Sequence, residues 1–359
     1  MTDHRSRGAR VLEGLGATEC DALLVTNLTN VRYLTGFSGS NAQLLLTRGG
    51  AIFFSDPRYA ARAGDLVDGA DIHIYQDALS DVLPEHLNTA GVTKLGIEAD
   101  TMTVGELDRL GERLPGIRLE WTQGIVENVR RVKDAEEISF LKRAVELSDE
   151  AFRWALDRIV PGVTERQLAL DLEVKMRQSG ADDVSFEPIV GAGTHSAHIH
   201  HTPSERAAEK GDLVLIDMGA RFNGYCSDLT RTVVVGPATD DQRRIYELVL
   251  EAQAAGIRAI SVGASGIEVD ARARDVISSA GYGESFGHGL GHGVGLDIHE
   301  APRLHRTSAD TLVASDVVTV EPGVYLPGSG GIRIEDIVVV TENGAEVLGH
   351  APKDSLIEL

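Results

Sequence analysis

Short apolar runs, interrupted by stretches of helical periodicity, fill the chain up to residue 125. Ala22–Val25, Gln43–Leu46, Ala51–Phe54, Ile72–Tyr75, Lys94–Ile97 and Arg118–Trp121 read as strands; Ala78–Leu87 and Val104–Leu114 read as helices. Strands alternating with helices predict an α/β layer structure for residues 1–125, with no strand order implied. From residue 126 the pattern changes. The charged segment Asn128–Ile138 contains Asp134 and, three residues on, Glu137, which is capping-box spacing. Ile138, Leu141, Val145, Phe152, Leu156 and Ile159 then recur at helical spacing until Pro161-Gly162 stops the run. A second box, Thr164 with Gln167, opens a helix with Leu168, Leu172 and Met176 on one face and Gly180 at its end. Two more helices are predicted near 240–261 and 266–279, and strands at 184–190, 213–218, 225–235, 317–321 and 332–340. Residues 126–359 are therefore α+β, with long helices against a largely antiparallel sheet.

Composition narrows the function classes. Apolar residues make up 42 % and charged residues 25 % of the 359, values of a chain that can bury a full core. The 34 Lys and Arg against 55 Asp and Glu leave a formal charge of −21. Such a surface repels phosphate backbones and anionic lipid, so neither nucleic acid nor membrane is the expected partner. No run approaches the ~18 apolar residues of a membrane helix. No apolar segment follows the polar, basic Met1–Arg10, so no secretory leader is expected and the cytoplasm is the expected location. Cys20 and Cys226 stand alone, which excludes a disulfide framework and a thiolate zinc site.

Chemistry concentrates in the second half. Eight of the twelve histidines fall in two windows: His195, His198, His200 and His201, then His288, His292, His299 and His305. Histidine is not a favoured core residue, so packing does not explain the clustering. Four carboxylates sit where apolar strands would bury them: Asp217 ends 213–217, Asp228 lies within 225–235, Glu321 ends 317–321, and Glu335 lies within 332–340. A turn near Arg221–Gly224 would form a hairpin and bring Asp217 to Asp228. An aspartate at a strand end is also an ordinary turn residue, a reading that suits Asp217 alone better than the set. An ion pair with Arg333 could account for Glu335 but not for the other three. Four carboxylates with imidazole describe an oxygen-rich site for hard or borderline divalent cations, and two such ions would balance the charge. The glycine-rich loop Gly287–Glu300 fits neither a zincin helix nor a dinucleotide loop, but it could bring imidazoles close to a metal.

Taken in order, Asp217 and Asp228 eleven apart, Gly-His292-Gly-Val-Gly-Leu-Asp-Ile-His299-Glu, Glu321-Pro-Gly and Ile-Arg333-Ile-Glu335-Asp resemble the pita-bread metallopeptidases. Within that group they resemble the Xaa-Pro peptidases, aminopeptidase P and prolidase. Arg32–Asn41 and Phe54–Tyr59 resemble the creatinase-type N-terminal domain, which methionine aminopeptidases lack. The resemblance implies a creatinase-like domain over 1–125 and a pita-bread catalytic domain over 126–359. It implies Asp217 on one metal, Asp228 and Glu335 bridging two, and His292 and Glu321 on the second, with Glu321 also handling a proton. It further implies that His200 and His299 flank the scissile peptide, that His288 contacts substrate, and that Arg333 supports Glu335 or binds substrate. Where the family has Asn-Ser-Ala-x-Pro-His, this chain has His195-Ser-Ala-His198-Ile199-His200-His201, so His201 stays open beside His200 as the functional histidine.

The activity so implied is hydrolysis of the Xaa–Pro bond at the N-terminus of short proline-containing peptides. Gly36–Asn41 resembles compact aminopeptidase P-like proteins more than dedicated prolidases, which favours an Xaa-Pro aminopeptidase; the alternative is a prolidase restricted to dipeptides. The implied cofactors are two divalent ions per chain, manganese first, with cobalt or zinc as alternatives. The implied assembly is a homodimer. A non-catalytic binding protein on the same fold would usually have lost ligands. Metal-free amidino hydrolysis lacks the five-residue set.

Overall fold

The computed structural model describes residues 3–359; Met1 and Thr2, the start of the polar Met1–Arg10 stretch, lie outside the described residues. Contacts divide the chain into two units, one ending at Arg130 and the other running from Arg131 to Leu359.

In the first unit all six predicted strands form one sheet. Its order is Asp71–Ile74, Gly50–Ser55, Gln43–Thr47, Ala22–Val25, Lys94–Glu98, Arg118–Thr122. The two joins made by Gln43–Thr47 are antiparallel and the outer joins are parallel. The helices Leu79–Thr89 and Val104–Arg113 add Leu83, Leu87 and Leu110 to a core with Leu24, Leu45, Phe54 and Ile97. Thr103 and Glu106 cap the second of these reciprocally. The helix His4–Leu15 escapes the periodicity because Val11 and Leu15 are its only buried large apolar residues. Arg7 is buried with them, donating to the Tyr33 carbonyl at 3.1 Å.

The second unit holds four sheets, of which the two larger are each covered by a pair of helices. Strands Ile189–Ala192, Leu213–Met218, Leu229–Val234 and Ile357–Glu358 form one sheet. Helices Ala135–Ala155 and Glu165–Gln178 cover it through Leu147, Phe152, Leu168, Leu172 and Met176. Strands Gly291–Gly293, Glu300–Leu304, Val317–Val320, Asp336–Thr341 and Gly344–Val347 form another. Helices Asp240–Ala259 and Gly266–Ser279 cover it through Tyr246, Val249, Val269 and Ile277. Asp134 with Glu137, Thr239 with Gln242 and Ser265 with Glu268 all close reciprocal capping boxes. Thr164 accepts from Gln167 N–H, but the Gln167 amide turns to Asp171 instead of completing the predicted box. The first long helix ends at Ala155, short of Pro161, while Ile159 still packs in the core.

Three runs predicted as single strands are broken. Residues 184–190 split into Asp183–Val184 and Ile189–Ala192, 225–235 into Tyr225–Cys226 and Leu229–Val234, and 332–340 into Gly330–Arg333 and Asp336–Thr341. Each break marks a change of pairing partner. Asp228 and Glu335 sit in two of these breaks, where the chain leaves a ladder and a carboxylate need not follow strict alternation. The predicted turn does form: Phe222 pairs Tyr225 around Asn223 and Gly224, whose φ values of 51° and 83° suit a tight hairpin.

Candidate metal centre

Asp217 stands in Leu213–Met218 opposite Thr230. The hairpin brings Asp228 back beside it, and Thr230 Oγ1 donates to Glu335 Oε2 at 2.7 Å. From the second of the two larger sheets, Val317–Val320 delivers Glu321. His292 lies in the neighbouring Gly291–Gly293, where its Nε2 is 3.6 Å from Asp228 Oδ2 and 3.5 Å from Glu321 Oε1. Ligand atoms of Asp228, His292 and Glu335 lie within 4.8 Å of one another. Gly291 and Gly293 are required by close approach. A Cβ on Gly291 would meet the Thr319 carbonyl at 2.0 Å, and one on Gly293 the Ala301 carbonyl at 2.2 Å.

Hydrogen bonds settle the tautomers. His292 Nδ1 lies 2.9 Å from the Gly293 carbonyl, which can only accept, so the proton is on Nδ1 and the Nε2 lone pair faces the same space as the carboxylate oxygens, all of them donors a cation could accept. His288 Nδ1 donates in the same way to the Gly289 carbonyl, so its Nε2 accepts from the Tyr325 hydroxyl at 2.8 Å. Burial, together with the Arg333 charge, holds His288 down at about 3; burial holds His292 down at about 4. Behind them, Arg274 binds Asp270 through two bonds and donates to the carbonyls of Phe286 and His288, while Asp270 accepts from Leu290 N–H. One ion pair on the helix Gly266–Ser279 thereby anchors the histidine-bearing loop.

Arg333 does not support Glu335 directly. Its guanidinium pairs with Asp217 at 2.5 Å and donates to Tyr325 and Thr230 at 2.9 and 3.0 Å. Glu335 is held through the Thr230 hydroxyl instead. Asp336 points the other way, onto Arg231 at 2.6 Å and Lys353.

The carboxylates are short of positive charge. Burial, then repulsion by Glu335, Asp217 and Glu321, drives Asp228 well above its ordinary range. Burial with repulsion by Glu321 and Asp217 does the same to Glu335, and burial raises Glu321 to about 8. Asp217 Oδ1 is buried with no hydrogen-bond partner. One guanidinium cannot neutralise four clustered carboxylates, three of them buried, so an oxygen-rich donor set with an imidazole lone pair and an orphaned carboxylate oxygen fits divalent cations.

The cluster opens into a cavity of about 750 Å³. His200, His288, His299, Arg303, Phe186 and Ile298 are among its walls. The His299 ring lies 4.4 Å from that of His292. Burial, then the charges of His200 and Arg303, lowers its pKa. Of the two adjacent histidines, His200 lines the cavity, whereas His201 turns to Glu165 at 2.8 Å. His195 also binds Glu165, and His305 lines the cavity with its Nδ1 against Thr307. Cys226 is fully buried, with Sγ facing the Leu296 carbonyl. Tyr325, Thr319, Arg303 and Glu165 escape sequence reasoning. Tyr325, in Gly323-Val-Tyr-Leu, reads as an ordinary strand aromatic, and only its closeness to Glu321-Pro-Gly could have flagged it.

Comparison with known proteins decides the family. Residues 139–342 match metallopeptidase family M24, and residues 7–132 match the creatinase/prolidase N-terminal domain. The chain belongs to metallopeptidase family M24. As an M24 peptidase it is a hydrolase whose centre takes divalent metal. This M24 chain is 41 % identical to the uncharacterized peptidase YqhT of Bacillus subtilis over 342 residues, covering 95 % of this chain and 97 % of that one. It is similar in structure to an Xaa-Pro dipeptidase from Bacillus anthracis, with a TM-score of 0.97 and 40 % identity, over 99 % of this chain and 100 % of the other. It is similar also to an X-Pro aminopeptidase from Thermotoga maritima, with a TM-score of 0.90 and 34 % identity, over 97 % and 100 % of the two chains. Among the described residues no helix is long and apolar enough to cross a membrane.

Proposed function

We propose that this chain hydrolyses the Xaa–Pro bond at the N-terminus of short proline-containing peptides. The observation that carries the proposal is the convergence of Asp217, Asp228, His292, Glu321 and Glu335 at the floor of a cavity also lined by His200, His288 and His299. Similar proteins named Xaa-Pro dipeptidase and X-Pro aminopeptidase support this substrate class.

In this reading Asp217 would hold one ion, Asp228 and Glu335 both, and His292 and Glu321 the second, with manganese the first choice and cobalt or zinc able to replace it. When bound, such ions polarise the scissile carbonyl and lower the pKa of water. The protein's own groups do the rest. Glu321 takes a proton from the attacking water and returns it to the departing proline nitrogen. His200 and His299 flank the peptide and stabilise the charge that develops on its carbonyl oxygen. His288, kept neutral, donates nothing beyond its Gly289 bond and fixes the Tyr325 hydroxyl, while Arg333 holds the Asp217 carboxylate in place through their ion pair. Proline supplies no N–H to a backbone acceptor, so the pyrrolidine ring must be recognised by shape, for which Phe186 and Ile298 offer apolar wall. A homodimer and a cytoplasmic location remain part of the proposal, supported by the family resemblance and by two buried, unpaired cysteines.

The cavity has room for more than two residues, which supports the aminopeptidase reading. One observation favours a dipeptidase. Arg303 is exposed to the cavity, and its guanidinium is committed to no carboxylate among the described residues. It is placed to bind a free proline carboxylate. Comparing kcat/KM for Ala-Pro and Ala-Pro-Ala with Mn(II) tests both. Cleavage of neither overturns the proposed activity, and cleavage of Ala-Pro alone overturns the aminopeptidase reading.

A further inference from the structure

We propose that Glu165 is a positioning residue that clamps the segment 192–204 so that His200 faces the substrate, an inference that rests on the role given above to His200. Glu165 opens the helix Glu165–Gln178 and does not line the cavity. Its side chain is 0 % exposed. Its two oxygens accept five hydrogen bonds. Oε1 takes Ala192 N–H at 2.9 Å and His195 Nδ1 at 2.8 Å; Oε2 takes His201 Nε2 at 2.8 Å, Ser204 N–H at 3.0 Å and Ser204 Oγ at 2.6 Å. Every donor comes from the stretch that brackets His200.

The backbone reinforces the grip. Glu165 N–H donates to the Arg206 carbonyl and Arg166 N–H to the Ser204 carbonyl, both at 3.0 Å, which fixes the far end of the loop to the helix start. At the near end Ser196 Oγ accepts from Gly331 N–H at 2.8 Å, two residues before Arg333. A side chain at Gly331 would meet the Ser196 carbonyl at 2.3 Å. His200 sits on a turn between these anchors. Its own ring makes no hydrogen bond among the described residues, so the loop alone sets where it points. Misplacing a catalytic group by ~1 Å costs ~10²-fold in rate, so a clamp remote from the substrate has a kinetic consequence.

The same atoms could be read as a third metal site, since ligand atoms of Glu165, His195 and His201 lie within 4.8 Å. Five protein donors already occupy that carboxylate, and the ion would have to displace two imidazole N–H bonds. The hydrogen-bonded clamp is the better account of the geometry.

A double-mutant cycle tests it, using the manganese-loaded full chain, kcat and KM on Ala-Pro and Ala-Pro-Ala, and elemental analysis. Glu165→Gln is expected to lower kcat ~10–100-fold with KM and bound metal within about twofold of wild type. In a His200→Ala background the same substitution is expected to cost less than about twofold, because the group it positions is gone. An equal loss in both backgrounds, or a fall in bound metal that tracks kcat, overturns the clamp and leaves the peptidase site standing. Wild-type kcat in His200→Ala overturns the role of His200 and this inference with it. A further equivalent of bound Zn(II) that disappears in His201→Ala overturns the clamp in favour of a metal site. If Glu165→Gln does not fold, His201→Ala carries the same cycle, with recovery expected in His201→Gln, whose amide keeps a donor for Oε2.

Discussion

Two clusters of carboxylate and imidazole lie in the second unit, and they have opposite electrostatics. In the cavity, Asp217, Asp228, Glu321 and Glu335 face one another with one guanidinium and one imidazole lone pair between them, and burial drives three of them upward in pKa. At the start of Glu165–Gln178, a single carboxylate is surrounded by five donors. Burial pushes Glu165 upward, but Ala192 N–H, the Ser204 hydroxyl, His201 and Ser204 N–H outweigh it and hold the group at about 2. Both clusters are buried and both contain histidine. Donor count separates a centre that needs a cation from one that has satisfied itself.

The largest effects should come from the needy cluster. Asp228→Asn and Glu335→Gln are expected to lose bound metal and to lower kcat/KM by at least ~10³-fold, with far-UV circular dichroism unchanged. Elemental analysis alongside the assay checks this. Full activity in metal-free protein would remove the proposed mechanism. His299→Ala should behave differently, with kcat falling on the order of 10²–10⁴-fold while metal content stays near wild type. Loss of metal in that variant would mean that His299 is a ligand rather than a group acting on the substrate.

The contrast also explains what sequence could reveal. Asp217, Asp228, Glu321 and Glu335 stand out because a carboxylate in an apolar strand contradicts its surroundings, and a residue that breaks the local pattern is visible without coordinates. Six strands of the first unit are legible for the same reason, since their apolar runs are clean. Glu165 is invisible because an acid in the first turn of a helix is what capping and the helix dipole favour anyway. Its partners lie 27 to 39 residues away and are gathered only by the fold. Arg333 shows the limit of local reading: Glu335, two residues on, is the partner the sequence suggests, but the guanidinium pairs with Asp217, 116 residues away. Asp228 and Glu335 fall in strand breaks for a related reason, because a change of pairing partner leaves no local mark.

A smaller effect would sharpen the substrate side of the cavity cluster. If the Arg303 guanidinium binds a free proline carboxylate, Arg303→Ala should lower kcat/KM for Ala-Pro by ~10–100-fold and change that for Ala-Pro-Ala by less than threefold or so. Equal losses on the two substrates would assign Arg303 to the fold or to the shared part of the substrate.

The smallest effect bears on stability, and there the two clusters should respond with opposite sign. In chelator-treated protein, Asp228→Asn relieves a buried charge repelled by three neighbours and should raise the urea midpoint. Glu165→Gln leaves Ser204 and His201 donors unmatched and should lower stability by about 1–3 kcal/mol at pH 7. The pH dependence of that loss follows from the Glu165 shift. Its pKa falls from 4.5 to about 2 on folding, so the stabilisation from its ionised form is complete above about 4.5 and disappears as pH falls through about 2. The difference between wild type and Glu165→Gln should therefore narrow between pH 7 and pH 3, by on the order of 1–2 kcal/mol. Urea titrations of both proteins across that range measure it directly. A gap that holds constant or widens on acidification would mean that the five donors do not grip a charged carboxylate, and the distinction drawn between the two clusters would fail at its satisfied end.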